Sequence, residues 1–312
     1  MDTIQIRELN TPSTDGIHSL YVKVYEPQKP FSGILQVVHG MTEYIGRYDA
    51  FMRAAAERGI LCFGHDHLGH GHTVSSPDEL GFIAERDGDA LLVEDVDAVY
   101  RFVSEQYGFS GRVLMGHSMG SFVVRIYGYK HPENLTGLVI MGTGGKNPAL
   151  GAGKAVASLI RLCKGKTHRS PLINKLMFGS YNDRTEKKTP TEWLTKDPEI
   201  QNAYIGDPLT NYMFTVPAIQ DLLRLVEKSN SKDFYNGLPA DLPVYIVSGE
   251  EDPVGAYGKG PKEVYEGLMA TSHEDVTLRL WPTDRHEVLN ETDRAQVTEE
   301  LLNWIGAHTA AF

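Results

Sequence analysis

With 312 residues, 41% of them hydrophobic and 23% charged, the chain can build one large domain with an insertion, or two modest domains, around a sizeable core. Its 41 acidic residues outweigh 30 basic ones, and the net charge of −11 argues against a general affinity for nucleic acid, which needs a basic footprint. Two cysteines far apart in sequence, Cys62 and Cys163, make no disulfide framework, so a reducing, cytoplasmic setting is expected.

The chain opens on Met1-Asp2-Thr3-Ile4-Gln5, without the basic start and apolar run of a secretory signal. No stretch approaches the roughly 18 apolar residues of a spanning helix. Residues 20–25 alternate apolar and polar side chains and predict a half-exposed antiparallel strand. Residues 33–38 form a nearly continuous apolar run, and similar runs follow at 60–64, 112–116, 138–141, 244–247 and 276–281. Helical patterns at 48–58, 91–107, 121–130 and 291–308 alternate with them. Strands buried on both faces and alternating with helices predict an α/β fold, a mainly parallel twisted sheet flanked by helices. The alternation breaks at 144–236, where helical periodicity runs without a convincing core strand. A mostly helical cap (lid) insertion is expected there, with residues 1–143 and 237–312 forming the core.

Gly116-His117-Ser118-Met119-Gly120 is a G-x-S-x-G sequence between an apolar strand-like run and a helical pattern. That context is a nucleophile elbow, with Ser118 on a sharp turn and small residues, Gly116 and Gly120, two positions to either side. The helix that follows directs its positive end at the serine. An oxyanion needs two N–H donors. One is expected from Met119, directly after the nucleophile, and the other from Met41, in the His39-Gly40-Met41-Thr42 loop that ends an earlier strand. Serine needs a histidine base oriented by a carboxylate, in the chain order Ser, acid, His. Among the later histidines only His286 closely follows a strand-like run in the loop before the last helix. Three carboxylates, Glu250, Glu251 and Asp252, crowd the loop after the 244–247 run, and pattern alone does not separate them. Asp252 before Pro253 suits a turn that projects a short carboxylate.

Together these motifs resemble the monoacylglycerol lipase and lysophospholipase branch of the α/β hydrolases. The resemblance spans nearly the whole chain and is densest before residue 145. His39-Gly40-Met41-Thr42-Glu43 with Arg47-Tyr48 resembles that branch's oxyanion loop, and Asp66-His67-Leu68-Gly69-His70-Gly71-His72-Thr73 its D-x-x-G-H-G-x-S segment, with threonine for serine. Ser248-Gly249-Glu250-Glu251-Asp252-Pro253-Val254 is similar to its acid loop, which favours Asp252. Arg285-His286-Glu287 with Asn290-Glu291 is similar to its histidine loop, although Thr283-Asp284 replaces a glycine-containing lead-in. The resemblance implies a carboxylic-ester hydrolase acting on monoacylglycerol or lysophospholipid through Ser118, His286 and Asp252, with no cofactor. The same triad could also serve peptide, aminoacyl amide or thioester cleavage, or carbon–carbon bond hydrolysis, because fold and triad do not fix the substrate. A non-catalytic ligand-binding protein is the other alternative.

Two further features stand out. His65, His67, His70 and His72 beside Asp66 have spacing that could suit a metal, but the resemblance places them in a structural turn and the chemistry needs no metal. Residues 144–182 carry seven basic side chains and no acidic one, +7 against −18 for the remainder. Within them Ala152, Ala155, Val156, Leu159, Ile160 and Cys163 recur at helical spacing. The expected helix lines an acyl pocket with its apolar stripe. Its basic side is either solvated or set to meet an anionic lipid surface.

Overall fold

The computed structural model describes residues 4–28 and 30–309; Met1, Asp2 and Thr3, part of the reading on a leader, lie outside them. Eight strands, β1 (Gln5–Pro12), β2 (Ser19–Glu26), β3 (Gly33–Val38), β4 (Ile60–His65), β5 (Arg112–His117), β6 (Leu135–Met141), β7 (Val244–Gly249) and β8 (Val276–Trp281), form one sheet in the order β1-β2-β4-β3-β5-β6-β7-β8. β2 lies antiparallel to both β1 and β4, and every other pairing is parallel. The continuous apolar runs give β3, β4, β5 and β7 no exposed residue. β2 buries alternate positions, as its alternating sequence requires. β1 escapes the pattern reading: its sequence QIRELNTP is mostly exposed at the sheet edge and is held by backbone pairing to β2.

Helices α1 (Asp49–Glu57), α2 (Gly88–Tyr107) and α3 (Met119–Lys130) precede β6. Between β6 and β7 come α4 (Leu150–Lys164), α5 (Pro171–Phe178), α6 (Pro198–Gly206), α7 (Val216–Ser229) and α8 (Lys232–Gly237), with no strand among the described residues there. α9 (Lys259–Met269) and α10 (Arg294–His308) complete the chain. Phe51 and Met52 of α1 share one core with Leu301 and Ile305 of α10. Val96 of α2, Val123 of α3 and Val264 of α9 share the core on the other face. The sheet is therefore covered on both sides, and its order reverses at β3, which has β4 on one side and β5 on the other. In open α/β sheets the crevice beyond the carboxyl ends of the strands at such a reversal is where ligands bind. The loops that leave β3 and β5 are those of Gly40 and Ser118.

The segment between β6 and β7 is fastened to the core by Arg125 of α3. Its fully buried guanidinium donates through Nη1 to the Gly144 carbonyl (3.1 Å) and through Nη2 to Asn230 Oδ1 (2.9 Å) and the Ser229 carbonyl. One side chain thus holds both ends of the segment. The orientation of α4 corrects part of the sequence reading: Ala152 and Val156 of the expected stripe line the cavity, but the rest of the stripe does not. Leu159 and Leu162 point outward, 63% and 84% exposed, and Cys163 is exposed as well. Two basic side chains of α4 pair with neighbouring elements instead, Lys154 with Glu227 and Arg161 with Gln220 (2.9 Å) and the Glu85 carbonyl (2.7 Å), while Lys164 is exposed and Lys166, just past the helix, makes a surface pair with Glu85 (2.8 Å). A single-helix stripe could not reveal these partners on neighbouring elements.

Gly120 is among the tightest points of this packing. A Cβ there would lie 2.2 Å from the Val38 carbonyl oxygen and 2.6 Å from that of His39. Gly120→Ala is expected to lower stability by about 2 kcal/mol or more through this backbone overlap. Gly151→Ala, in α4 with nothing within 4 Å of the new methyl, is expected to be neutral or stabilising. Urea denaturation of the two variants checks the contrast.

Candidate active site

β5 ends at His117, α3 begins at Met119, and Ser118 alone makes the turn, at φ 54° and ψ −119°. Such a conformation is strained for a residue with a side chain and persists only where its surroundings enforce it. Here the Ser118 N–H donates to the Met141 carbonyl on β6 (3.0 Å), and Ser121 Oγ donates to the Ser118 carbonyl (2.5 Å). The hydroxyl is thereby held above the carboxyl end of the sheet, at the amino end of a 12-residue helix. Gly40 approaches it from β3, where a Cβ would stand 2.9 Å from Ser118 Cβ. Met41, Met119, His117, Ser118 and His286 line one cavity of about 1030 Å³.

Asp252 stands behind His286. It is fully buried, and its Oδ1 accepts the Val254 N–H (2.8 Å) and lies 3.0 Å from His286 Nδ1. Ser248 Oγ donates to Oδ2 (3.2 Å). Asp252 Oδ1 and His286 Nδ1 stand at ion-pair distance, short of the alignment of a full hydrogen bond. Glu250 and Glu251 are both exposed, which separates the three neighbouring carboxylates as the sequence could not. His286 itself is 2% exposed and rests between the rings of His117 (4.7 Å) and Trp193 (5.2 Å).

A buried ionic network beneath these residues had no role in the sequence reading, although several of its members stood inside the motifs. Glu43 Oε1 accepts the Gly40 N–H (2.6 Å) and the Tyr48 hydroxyl (2.9 Å) and lies 3.1 Å from His117 Nδ1. Arg47 Nη1 donates to Glu43 Oε2 (3.0 Å) and to Glu287 Oε1 (2.6 Å), while Nη2 donates to Glu287 Oε2 (2.7 Å). Burial alone would raise the Glu43 pKa. The His117 ring and the Arg47 guanidinium outweigh it and hold the carboxyl far below its usual range. Burial likewise opposes a charged His117, and Glu43 pulls its pKa up instead. The loops of Gly40, Ser118 and His286 are in this way tied to one another.

The histidine-rich turn serves packing. His39, His65, His67 and His70 are fully buried, and the His67 N–H donates to His39 Nε2 (3.0 Å). Burial, with His39 close by, pushes His65 and His70 down to about 3, so they pack as neutral rings behind the Gly40 loop. Asp66 accepts the Ile45 N–H (2.8 Å) and the His72 N–H (2.7 Å), and Thr73 Oγ1 donates to the Asp66 carbonyl (2.6 Å). Among the described residues no group of three or more His, Cys, Asp or Glu is placed to hold a metal ion, and no helix is long and apolar enough to cross a membrane. Both cysteines are free.

Because the Glu43 carboxyl is held below its ordinary value, the stability it contributes is present above the usual carboxylate pKa of about 4.5 and is lost as pH falls toward its folded value. Glu43→Gln is expected to lower stability at pH 7 by about 3 kcal/mol, the cost of breaking a buried ionic contact. It is also expected to flatten the decline in melting temperature between roughly pH 5 and 2. Thermal melts of both proteins across that range test this.

Residues 29–293 match the family described as serine aminopeptidase, S33. A monoacylglycerol lipase of Mycolicibacterium smegmatis is 25% identical over 297 residues, covering 94% of each chain. The Homo sapiens monoglyceride lipase is 23% identical over 309 residues, covering 96% of this chain and 90% of its own. A thermostable carboxyl esterase from Bacillus coagulans, solved in complex with glycerol, superimposes with a TM-score of 0.91 at 29% identity, over 98% of this chain and 99% of that one. A serine on a strained strand-to-helix turn, a sheet reversing beneath it and a match of this length agree: the chain belongs to the serine aminopeptidase S33 family of α/β hydrolases, and it is a serine hydrolase.

Proposed function

We propose that this hydrolase cleaves carboxylic esters of lipid-like acyl chains, monoacylglycerol first and lysophospholipid second. The observation that carries the reading is the cavity itself. Ser118 and His286 open onto about 1030 Å³ whose walls include Phe122, Leu150, Val156, Ile173, Leu222 and Leu223. A space of this size and lining suits an acyl chain. Thr42, Glu43 and Glu287 give the same cavity a polar part beside Ser118, as a glycerol headgroup would need. Residues 144–236 act in this reading as the cap, with α4, α5 and α7 enclosing the acyl chain above the 1–143 and 237–312 core.

His286 takes the hydroxyl proton as Ser118 Oγ attacks the ester carbonyl, and Asp252 holds the imidazole tautomer and steadies its charge. The N–H groups of Met41 and Met119 hold the oxyanion. Collapse of the tetrahedral intermediate breaks the carbon–oxygen bond, and the imidazolium returns its proton to the leaving alcohol. Water, deprotonated by the same histidine, then attacks the acyl-serine, and a second collapse releases the fatty acid and restores Ser118.

Leu159 and Leu162 of α4 and Leu172 and Leu176 of α5 are exposed apolar side chains on helices that also carry Lys164 and Lys175. In this reading these exposed leucines and lysines of the cap make a passing contact with an anionic lipid surface, from which substrate enters. Two unpaired cysteines fit a cytoplasmic setting. The family's description as an aminopeptidase raises a second substrate class, but an α-amino group requires an open carboxylate. The two carboxylates on the Gly40 and His286 loops are not open, Glu287 being bound on both oxygens by Arg47 and Glu43 by the Gly40 N–H, Tyr48 and Arg47, which favours the neutral ester.

Fatty-acid release from a monoacylglycerol and a lysophospholipid of matched chain length tests the reading, with faster release expected from the monoacylglycerol. Ser118→Ala is expected to lower turnover by about 10⁴-fold or more without loss of stability. Asp252→Asn is expected to lower it by about 10⁴-fold. A comparable loss in Glu250→Gln or Glu251→Gln would move the acid to that residue, and release from neither lipid would overturn the substrate class.

A further inference from the structure

The turn after Gly40 carries a backbone that its own sequence does not favour. Thr42 sits at φ 55°, a left-handed conformation that is a true outlier for a β-branched residue. It directly follows Met41, so any relaxation of Thr42 would re-aim the Met41 N–H. The groups that hold Thr42 come from far along the chain. The Tyr204 hydroxyl, on α6, donates to the Thr42 carbonyl (3.1 Å) and stands 2.7 Å from Thr42 Oγ1. A tyrosine has one hydroxyl proton, so with that proton on the carbonyl the shorter contact is Thr42 Oγ1–H donating to the tyrosine oxygen. The residue is held at both its backbone and its side chain. Tyr204 is fixed in turn: the Arg47 guanidinium lies 4.8 Å from its ring centre, and the Tyr44 hydroxyl donates to Asp207 at the end of α6 (2.8 Å). The arrangement recurs in the loop before His286. Thr283 is at φ 65°, and Lys196, just ahead of α6, donates to its Oγ1 (2.8 Å).

We propose that Tyr204 is a positioning residue for the oxyanion hole. Helix α6 clamps the strained Thr42 backbone and so aims the Met41 N–H, and the inserted segment completes the catalytic geometry as well as enclosing the acyl chain. The inference rests on Ser118 as nucleophile and Met41 as donor. It follows that a displaced α6 leaves acyl binding in place while slowing the chemical step.

Hydrolysis of p-nitrophenyl butyrate by the full chain tests this. Tyr204→Phe keeps the ring against Arg47 and removes only the hydroxyl. Its kcat is expected to fall about 10- to 100-fold, part of the 10²- to 10³-fold effect of losing an oxyanion donor outright, with KM changed by less than about threefold. Thr42→Gly supplies the second arm, because glycine adopts positive φ without a side-chain penalty. In that background Tyr204→Phe is expected to cost less than about threefold in kcat. An unchanged kcat, a loss confined to KM, or an equal loss in both backgrounds would overturn the clamping role. Ser118→Ala runs in parallel. Retained turnover there would remove the reading on which the inference rests, whereas abolished turnover beside an unaffected Tyr204→Phe overturns the clamp alone.

Discussion

A carboxylate taken out of water must find charge and hydrogen bonds inside the protein, or it will not stay ionised. Glu43 is 3% exposed, and its partners come from two parts of the chain, the Gly40 N–H and Arg47 from the stretch after β3 and His117 from the end of β5, while Arg47 carries the link to a third by binding Glu287 beside His286 in the loop after β8. Satisfying this one group fixes the spacing of the three loops that carry the catalytic candidates. The rest of the site inherits that spacing. His117, held by Glu43 at Nδ1, has Nε2 3.2 Å from the His286 carbonyl, so the base loop is braced from beneath as well.

The fold supplies the second constraint. Parallel strands end together, and the reversal of sheet order at β3 opens a crevice between the loops that leave β3 and β5. Ser118 is forced up into that crevice by glycines that allow backbone to pass within contact distance of backbone. The helical segment between β6 and β7 lines the same cavity as Ser118. It also touches the catalytic loops, because Trp193 lies against the His286 ring and Tyr204 reaches Thr42, and Arg125 holds both ends of the segment. Chemistry and enclosure therefore share residues.

Much of this was legible in the sequence, and the reasons are physical. Runs buried on both faces announce parallel strands, and G-x-S-x-G between a strand and a helix announces its own geometry. Edge strand β1 was not legible, because its side chains are mostly exposed and only backbone pairing defines it. The pairing of Lys154 and Arg161 on α4 depended on Glu227, Gln220 and the Glu85 carbonyl, which no local pattern connects to it. Glu43, Arg47 and Glu287 were visible as motif letters, yet their mutual contact spans 240 positions and appears only when the sheet is assembled. The Thr283 that departs from a glycine-containing lead-in occupies a left-handed backbone position where glycine would be at ease. Threonine stands there with a hydroxyl held by Lys196.

The central claim, that Ser118 forms the acyl-enzyme, is tested most directly by covalent trapping. A fluorophosphonate reacts only with a serine whose proton is removed and whose adduct oxygen is held, so it samples nucleophile, base and oxyanion donors at once. Incubation of the full chain, proteolysis and mass mapping are expected to give one adduct, on the peptide containing Ser118, formed in step with the loss of esterase activity. An adduct on another residue, or full loss of activity with Ser118 unmodified, would contradict the account.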